Sequence, residues 1–390
     1  MTELGISVYP DLSPLSEIRA YLKLASSYGA SRVFSSMFSV EGTNEEIISY
    51  FREFIETAHQ YQMKVSLDVN PVFLEKLGVT PEDISLFHEI GCDIIRLDMS
   101  YGKEKDLIIC KNPYGIQIQL NASMGIEEEL KYLKENGVTE KELLLGHNFY
   151  PQRYTGLKWK NFISTNEALK QYGYPIDAFM ASHAENTHGV WDAKDGLPTV
   201  ERMRDMPCDL AYRILEASGT DHIFFGNAYA SEEEFASLKE VMADERNTKN
   251  SPLYEPIKKM GITLPETIKE VILKVIPGPD ITEAERYMLF DFWPQTDYGD
   301  SSEWIWRSRS GRFVNSEFAF PYRKYEGEEI PAGSVVIVND NYRHYAGEIQ
   351  IARLPLRNDG QRNVIGHLAD NEADLLELLP DGTNIRFVKA

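Results

Sequence analysis

Over roughly the first 240 residues, apolar positions follow two alternating rhythms. Short runs, GISVY, SRVFSSMF, KVSLDVN, DIIRLDM, GIQIQLN, ELLLGHN, IDAFMAS and HIFFGNA, read as eight strands. Each is followed by a stretch with helical periodicity or helix punctuation. The second such stretch is the clearest, with Ile47, Ile48, Phe51, Phe54, Ile55 and Ala58 on one helix face. Thr43 and Glu46 predict a capping box at its start, because the threonine oxygen accepts from the backbone while the glutamate reaches back. Ser164 with Glu167 and Ser231 with Glu234 repeat that signal, and Thr80-Pro81 suggests proline at a first helical position. Gly29, Gly91, Gly137, Gly173 and Gly219 mark helix ends. Strands alternating with helices predict a parallel sheet with right-handed crossovers, and eight units favour closure into a TIM (β/α)8 barrel. An open doubly wound sheet is the alternative, but no glycine-rich phosphate fingerprint follows the first strand.

The rhythm then changes. Residues 243–264 read as a linker with a short helix. Beyond Pro277-Gly278-Pro279 come short strand-like runs: RYMLFDFW, EWIWRSR, GSVVIVND, EIQIARL, NVIGHLA and NIRFVKA. The expected fold class is therefore α/β: a barrel over residues 1–245, followed by a smaller all-β barrel domain over 246–390.

Side-chain parity locates candidate chemistry. The third predicted strand sends Val65, Leu67 and Val69 toward the helices and Ser66, Asp68 and Asn70 toward the axis. The fourth sends Ile95, Leu97 and Met99 outward and Ile94, Arg96, Asp98 and Ser100 inward; the fifth turns Gln117, Gln119 and Asn121 inward. Barrel interiors are normally filled by branched apolar residues, so this polar lining calls for a reason. Asp68 and Asp98 fall at the carboxyl ends of their strands, where barrel active sites lie. Adjacent strands are about 4.8 Å apart, so two carboxylates of one layer come near the roughly 5–10 Å used in glycoside hydrolysis. Arg96, one layer below Asp98, can reach Asp68 and keep at least one carboxylate ionised. A satisfied buried network without chemistry would show the same pattern.

Loops supply further candidates. Asp11 follows the first strand, as a substrate contact or as a helix-start residue. Glu185 lies with His183 and His188 in the long seventh loop, ASHAENTHGVWDAKDGLP, and is an alternative acid. HNFYPQRYTGL, with His147, Asn148, Tyr150 and Arg153, suits sugar stacking and hydrogen bonding. Asn227 stands where barrels often hold phosphate, although Glu232, Glu233 and Glu234 at the next helix start would repel it. Arg307, Arg309 and Arg312 are local cations suited to phosphate or carboxylate.

The balance of charge narrows the partners. A net charge of −21 without a basic run argues against nucleic acid and anionic membrane. The three cysteines, Cys92, Cys110 and Cys208, have no metal-ligand spacing, and the histidines lack one too, so neither metal nor cofactor is expected. Reduced cysteines and a start without signal-peptide character suggest the cytoplasm.

In order along the chain, SVYP, LDVNP, RLD, LNAS, HNFYP…YTGL, GLPTVE and GSVVIVNDNYRHYAGEIQIA resemble the bacterial 6-phospho-N-acetylmuramidase family, long labelled "outer surface protein". The resemblance covers nearly the whole chain. It implies a transglycosidase-type barrel followed by a cyclophilin-like β-barrel. It also implies hydrolysis of the β-1,4 bond between N-acetylmuramic acid 6-phosphate and N-acetylglucosamine, during cytosolic recycling of peptidoglycan. The expected substrate is thus a phosphorylated amino-sugar disaccharide. The resemblance does not assign the residues; strand parity and loop position make Asp98 the nucleophile or base and Asp68 or Glu185 the acid, with Asp11, Arg96, Gln119, Asn121, His147, Asn148, Tyr150, Arg153, Asn227, Arg307 and Arg312 in binding. A homo-oligomer is left open. The rivals are a sugar-phosphate lyase or isomerase, for which only Lys64 has the parity of a Schiff-base lysine, and a non-catalytic sugar-phosphate-binding protein.

Overall fold

The structure, a computed structural model, describes residues 2–37, 40–242 and 245–390. Phe38 of the second predicted strand and residues 243 and 244 of the predicted linker lie outside the described residues. The chain divides into two compact units, residues 1–239 and 240–390.

The first unit is a closed barrel of eight parallel strands in sequence order: β1 Glu3–Val8, β2 Ala30–Ser36, β3 Lys64–Val69, β4 Ile94–Leu97, β5 Gln117–Asn121, β6 Leu143–Gly146, β7 Ile176–Met180 and β8 His222–Phe225. β1 pairs with both β2 and β8, which closes the ring and leaves no free edge. Helices cover the outside. Asn44–Gln60 buries Ile47, Phe51, Phe54, Ile55 and Ala58 and carries the capping box expected from Thr43 and Glu46. Ser231 and Glu234 form the same reciprocal bonds.

Two expected helix starts are corrected. Ser164 lies inside helix Trp159–Lys170, where its hydroxyl donates back to the Asn161 carbonyl. Pro81 sits in a turn ahead of helix Ser85–Glu89; the proline at a first helical position is Pro71, behind the Asn70 cap. Asn70 therefore caps a helix instead of facing the axis.

The barrel interior is divided. On the side of β7, β8, β1 and β2, Phe179, Phe224, Tyr9 and Phe34 form an aromatic cluster with Val190 and Leu197. Gly5 makes room for it, since a Cβ there would lie 2.3 Å from the Phe224 ring. On the side of β3, β4 and β5 the interior is polar, and the register places Asp68 beside Arg96 and Arg96 beside Gln119. Gly146 on β6 is the second close approach: a Cβ there would lie 2.5 Å from the Gln119 amide carbon. Gln119 thereby reaches past β6 to donate to Asp177 on β7 at 2.5 Å, and Asp177 also holds His222.

The second unit is built on a nearly closed, barrel-shaped sheet of seven strands. Their order is Gln295–Thr296, Asn384–Lys389, Val271–Pro277, Arg362–Leu368, Ser334–Val338, Ile349–Ala352 and Ile305–Ser308. A hydrogen bond from the Thr296 backbone to Ser308 Oγ at 3.1 Å links its two edges. RYMLFDFW is not a strand. Thr282 and Glu285 cap helix Glu283–Arg286, which runs into a wider turn at Tyr287–Asp291 and buries Met288 and Leu289. Conversely, Val271–Pro277, between the predicted linker and the first predicted strand, is an inner strand.

Candidate active site

β3 and β4 run side by side, and their alternation carries Asp68 and Arg96 to the carboxyl-terminal rim. Arg96 Nη1 donates to Asp68 Oδ1 at 2.6 Å, with the two side chains only 5% and 9% exposed. The same nitrogen lies 3.8 Å from Asp98 Oδ1. One guanidinium nitrogen thus serves both carboxylates. Those oxygens can be no further apart than the two distances, 2.6 Å and 3.8 Å, combined, about 6.4 Å.

The expected layering needs a correction. Asp68 is level with Arg96, and Asp98 lies beyond the end of β4, tied by its backbone N–H to the Val69 carbonyl. Asp98 is accordingly the more open of the two, with its side chain 43% exposed. Met99 and Ser100 follow the end of the strand and are exposed, so strand parity no longer governs them.

Burial and Arg96 act on Asp68 in opposite directions. Loss of solvent raises the carboxyl's affinity for its proton, the guanidinium lowers it, and burial wins: the pKa is pushed up to about 6.

A relay behind β6 fixes the other side of Arg96. Its Nη2 donates to Asn148 Oδ1. The Asn148 backbone N–H donates to Ser123 Oγ at 3.0 Å, and Ser123 lies 3.1 Å from His147 Nδ1. His147 Nε2 faces the Asn166 carbonyl oxygen at 2.8 Å, which assigns the proton to Nε2 and leaves Nδ1 to accept. His147 is fully buried, and burial pushes its pKa down to about 4, so the ring is a neutral, fixed support.

Ser36, Asp68, Arg96, Asp98, Asn148 and Trp191, with Phe149, line a cleft of about 170 Å3. Trp191 is 68% exposed. It and Asp192 hold φ of 56° and 57°, a left-handed conformation that costs about 1–3 kcal/mol per non-glycine residue. The exposed indole thus offers an aromatic face to the cleft beside the two carboxylates.

Comparisons with known proteins bear on the family and the fold. Residues 4–240 match the family model described as 6-phospho-N-acetylmuramidase, N-terminal, and residues 271–388 match its C-terminal counterpart. The chain belongs to the 6-phospho-N-acetylmuramidase family. Among solved structures, it resembles an uncharacterized B. cereus protein at 31% identity over 99% of both chains, with a TM-score of 0.78. It also shares its fold with a conserved Enterococcus faecalis protein of unknown function, at 22% identity over 99% of this chain and 96% of that one, with a TM-score of 0.61. No curated protein matches the chain.

In this member of the 6-phospho-N-acetylmuramidase family, Asp68, Arg96, Asp98 and Asn148 come together at the cleft, with His147 supporting Asn148 through Ser123 and Gln119 next to Arg96 in the register, and the remaining candidates do not line the cleft. Glu185 is exposed and lines a separate depression with Glu17, His188 and Tyr229. Asp11 sits in a turn four residues before helix Leu15–Ser27, so it is not a helix-start residue. Gln119 belongs to the Asp177 network, and Asn121 Oδ1 accepts from the Ser123 backbone. The Tyr150 carbonyl accepts from Arg204. Arg153 is engaged by Asp205 through both terminal nitrogens. Asn227 is buried, with Oδ1 accepting from the Ser182 and Leu197 backbones. Arg307 and Arg312 belong to the second unit and are taken up below. Lys64 is exposed at the amino-terminal end of β3, far from the position a Schiff-base lysine needs. Among the described residues no cluster suited to a metal ion occurs, and no helix is long and apolar enough to cross a membrane.

Reading by residue type missed Ser36, Phe149 and Trp191. Trp191 carried a usable signal: a tryptophan two residues after glycine in a long polar loop at a strand mouth.

Proposed function

We propose that the barrel unit is a glycoside hydrolase cleaving the β-1,4 bond between N-acetylmuramic acid 6-phosphate and N-acetylglucosamine, in recycling of cell-wall fragments. The observation that carries this reading is one buried, proton-retaining carboxyl and one more open carboxyl group sharing a single guanidinium nitrogen, at the carboxyl-terminal rim of a barrel. Membership of the family supports the substrate class. A cytosolic place of action is supported by three buried, free cysteines.

In this reading Asp98 attacks the anomeric carbon of the muramic acid unit as Asp68 gives its proton to the departing O4 of N-acetylglucosamine. The glycosidic bond breaks and an ester to Asp98 forms. Asp68, now ionised and stabilised by Arg96, takes a proton from water, and the resulting hydroxide displaces Asp98 from the sugar. Carboxyl separations of about 5–5.5 Å accompany such retaining chemistry, against about 6.5–9.5 Å for inversion. The bound of about 6.4 Å favours retention. Trp191 supplies the stacking face for the sugar.

The test is incubation with the phosphorylated disaccharide and its unphosphorylated twin. The phosphorylated compound should release monosaccharides much faster. Equal cleavage would remove phosphate recognition, and no cleavage of either would leave a binding protein. A pH profile follows as well. The acid must be protonated, and Asp68 holds its proton up to about pH 6. Hence kcat/KM should fall about tenfold per pH unit above that point, where free aspartate would already fall above pH 4. An alkaline limb near pH 4 would show that Arg96 outweighs burial.

A further inference from the structure

We propose that the second unit carries its own binding site for a phosphorylated small molecule with a ring-shaped body, between the turns at Ser310–Phe313 and Asp340–Tyr345. A cavity of about 550 Å3 opens there, within the range typical of small-molecule sites. Arg309, Arg312, Asn315 and His344 supply its polar lining; Ile262, Tyr298 and Phe313 are among its apolar residues.

Charge at this place runs against the chain's net charge of −21. Arg307 and Arg309 share one carboxylate, Asp300, at 3.0 and 3.3 Å. Arg312 reaches Glu348 at 3.4 Å. Three guanidiniums therefore stand against two carboxylates. Glu348 is fully buried, and burial raises its affinity for a proton, which weakens it further as a counter-charge.

The cations are also held in place. Arg312 lies over the Tyr345 ring at 4.5 Å and Arg309 over Tyr298 at 5.4 Å. Arg312 Nη2 faces His344 Nε2 at 3.2 Å, so here the imidazole accepts and is neutral at that nitrogen. A phosphate between these groups would accept from both guanidiniums. Guanidinium forks match phosphate oxygens in geometry and in charge. Tyr298 and Phe313 remain partly exposed and offer faces for an apolar ring surface. The site lies wholly within residues 240–390, so it stands whether or not the barrel is a glycosidase.

The test is calorimetric titration of the full-length protein with N-acetylglucosamine 6-phosphate, N-acetylglucosamine and inorganic phosphate. The wild type should bind the sugar phosphate, with inorganic phosphate competing, and should bind the unphosphorylated sugar at least about tenfold more weakly. Arg309→Gln, a change at a side chain 41% exposed, should weaken sugar-phosphate binding about tenfold, and adding Arg312→Lys should weaken it further. Asp98→Asn in the barrel should leave this binding unchanged. The proposal is overturned if none of the probes binds at millimolar concentration, if Arg309→Gln binds like the wild type, or if Asp98→Asn alone abolishes the heat. It is equally overturned if the unphosphorylated sugar binds as well as the phosphorylated one.

Discussion

Asp98→Asn is expected to fold like the wild type and to lose at least about a thousandfold in turnover of the phosphorylated disaccharide, near 4 kcal/mol of transition-state stabilisation. The structural half rests on exposure. Asp98 is 43% exposed and meets Arg96 only at 3.8 Å. Its backbone bond to Val69 survives the change. Substitutions at such positions usually alter stability by no more than about 0.5 kcal/mol. The catalytic half rests on charge: an amide keeps the shape and cannot attack the anomeric carbon. Thermal unfolding beside steady-state turnover separates the two halves. Near-normal turnover would remove Asp98 from the chemistry.

Arg96→Met should show the largest loss of stability. It strips the buried Asp68 of its cation and Asn148 of its donor together. Breaking a buried pair by removing one partner costs about 3–5 kcal/mol. The loss should depend on pH. Burial already holds the Asp68 pKa at about 6, above its unfolded value, and without the guanidinium it rises further. A raised carboxyl pKa means that stability is present at low pH and lost as pH rises through the folded value. Urea unfolding should therefore show a small deficit near pH 5 and the full deficit near pH 8. Adding Asp68→Asn should restore much of the lost stability at the higher pH, because it removes the stranded charge. A deficit independent of pH and unrelieved by the second change would assign the loss to packing alone.

What could be read before the structure followed from period. Strand alternation is fixed at two, so Asp68 and Arg96 faced the axis once their strands were placed. The same argument lapsed at Asn70, Met99 and Ser100, where the strands end and local capping or solvent takes over. RYMLFDFW misled because a run rich in aromatic residues suits strand or helix, and Thr282 with Glu285 decided for helix. Val271–Pro277 went unread because an apolar run without alternation resembles its surroundings. Glu185 and Trp191 share one loop, and no periodicity says which of them turns to the cleft. The pKa of Asp68 was illegible for another reason: sequence shows the neighbouring arginine but not how completely water is excluded.

The proposed chemistry needs two carboxyl groups close enough to act on one linkage, with the covalent intermediate formed on Asp98. Proton NMR of the reaction in progress, read before mutarotation, reports the anomer of N-acetylmuramic acid 6-phosphate released first. The β anomer is expected, since the Oδ1 atoms of Asp68 and Asp98 lie no more than about 6.4 Å apart, which favours retention. The α anomer as first product would contradict it, because inversion goes with more widely separated carboxyl groups and a water molecule between them.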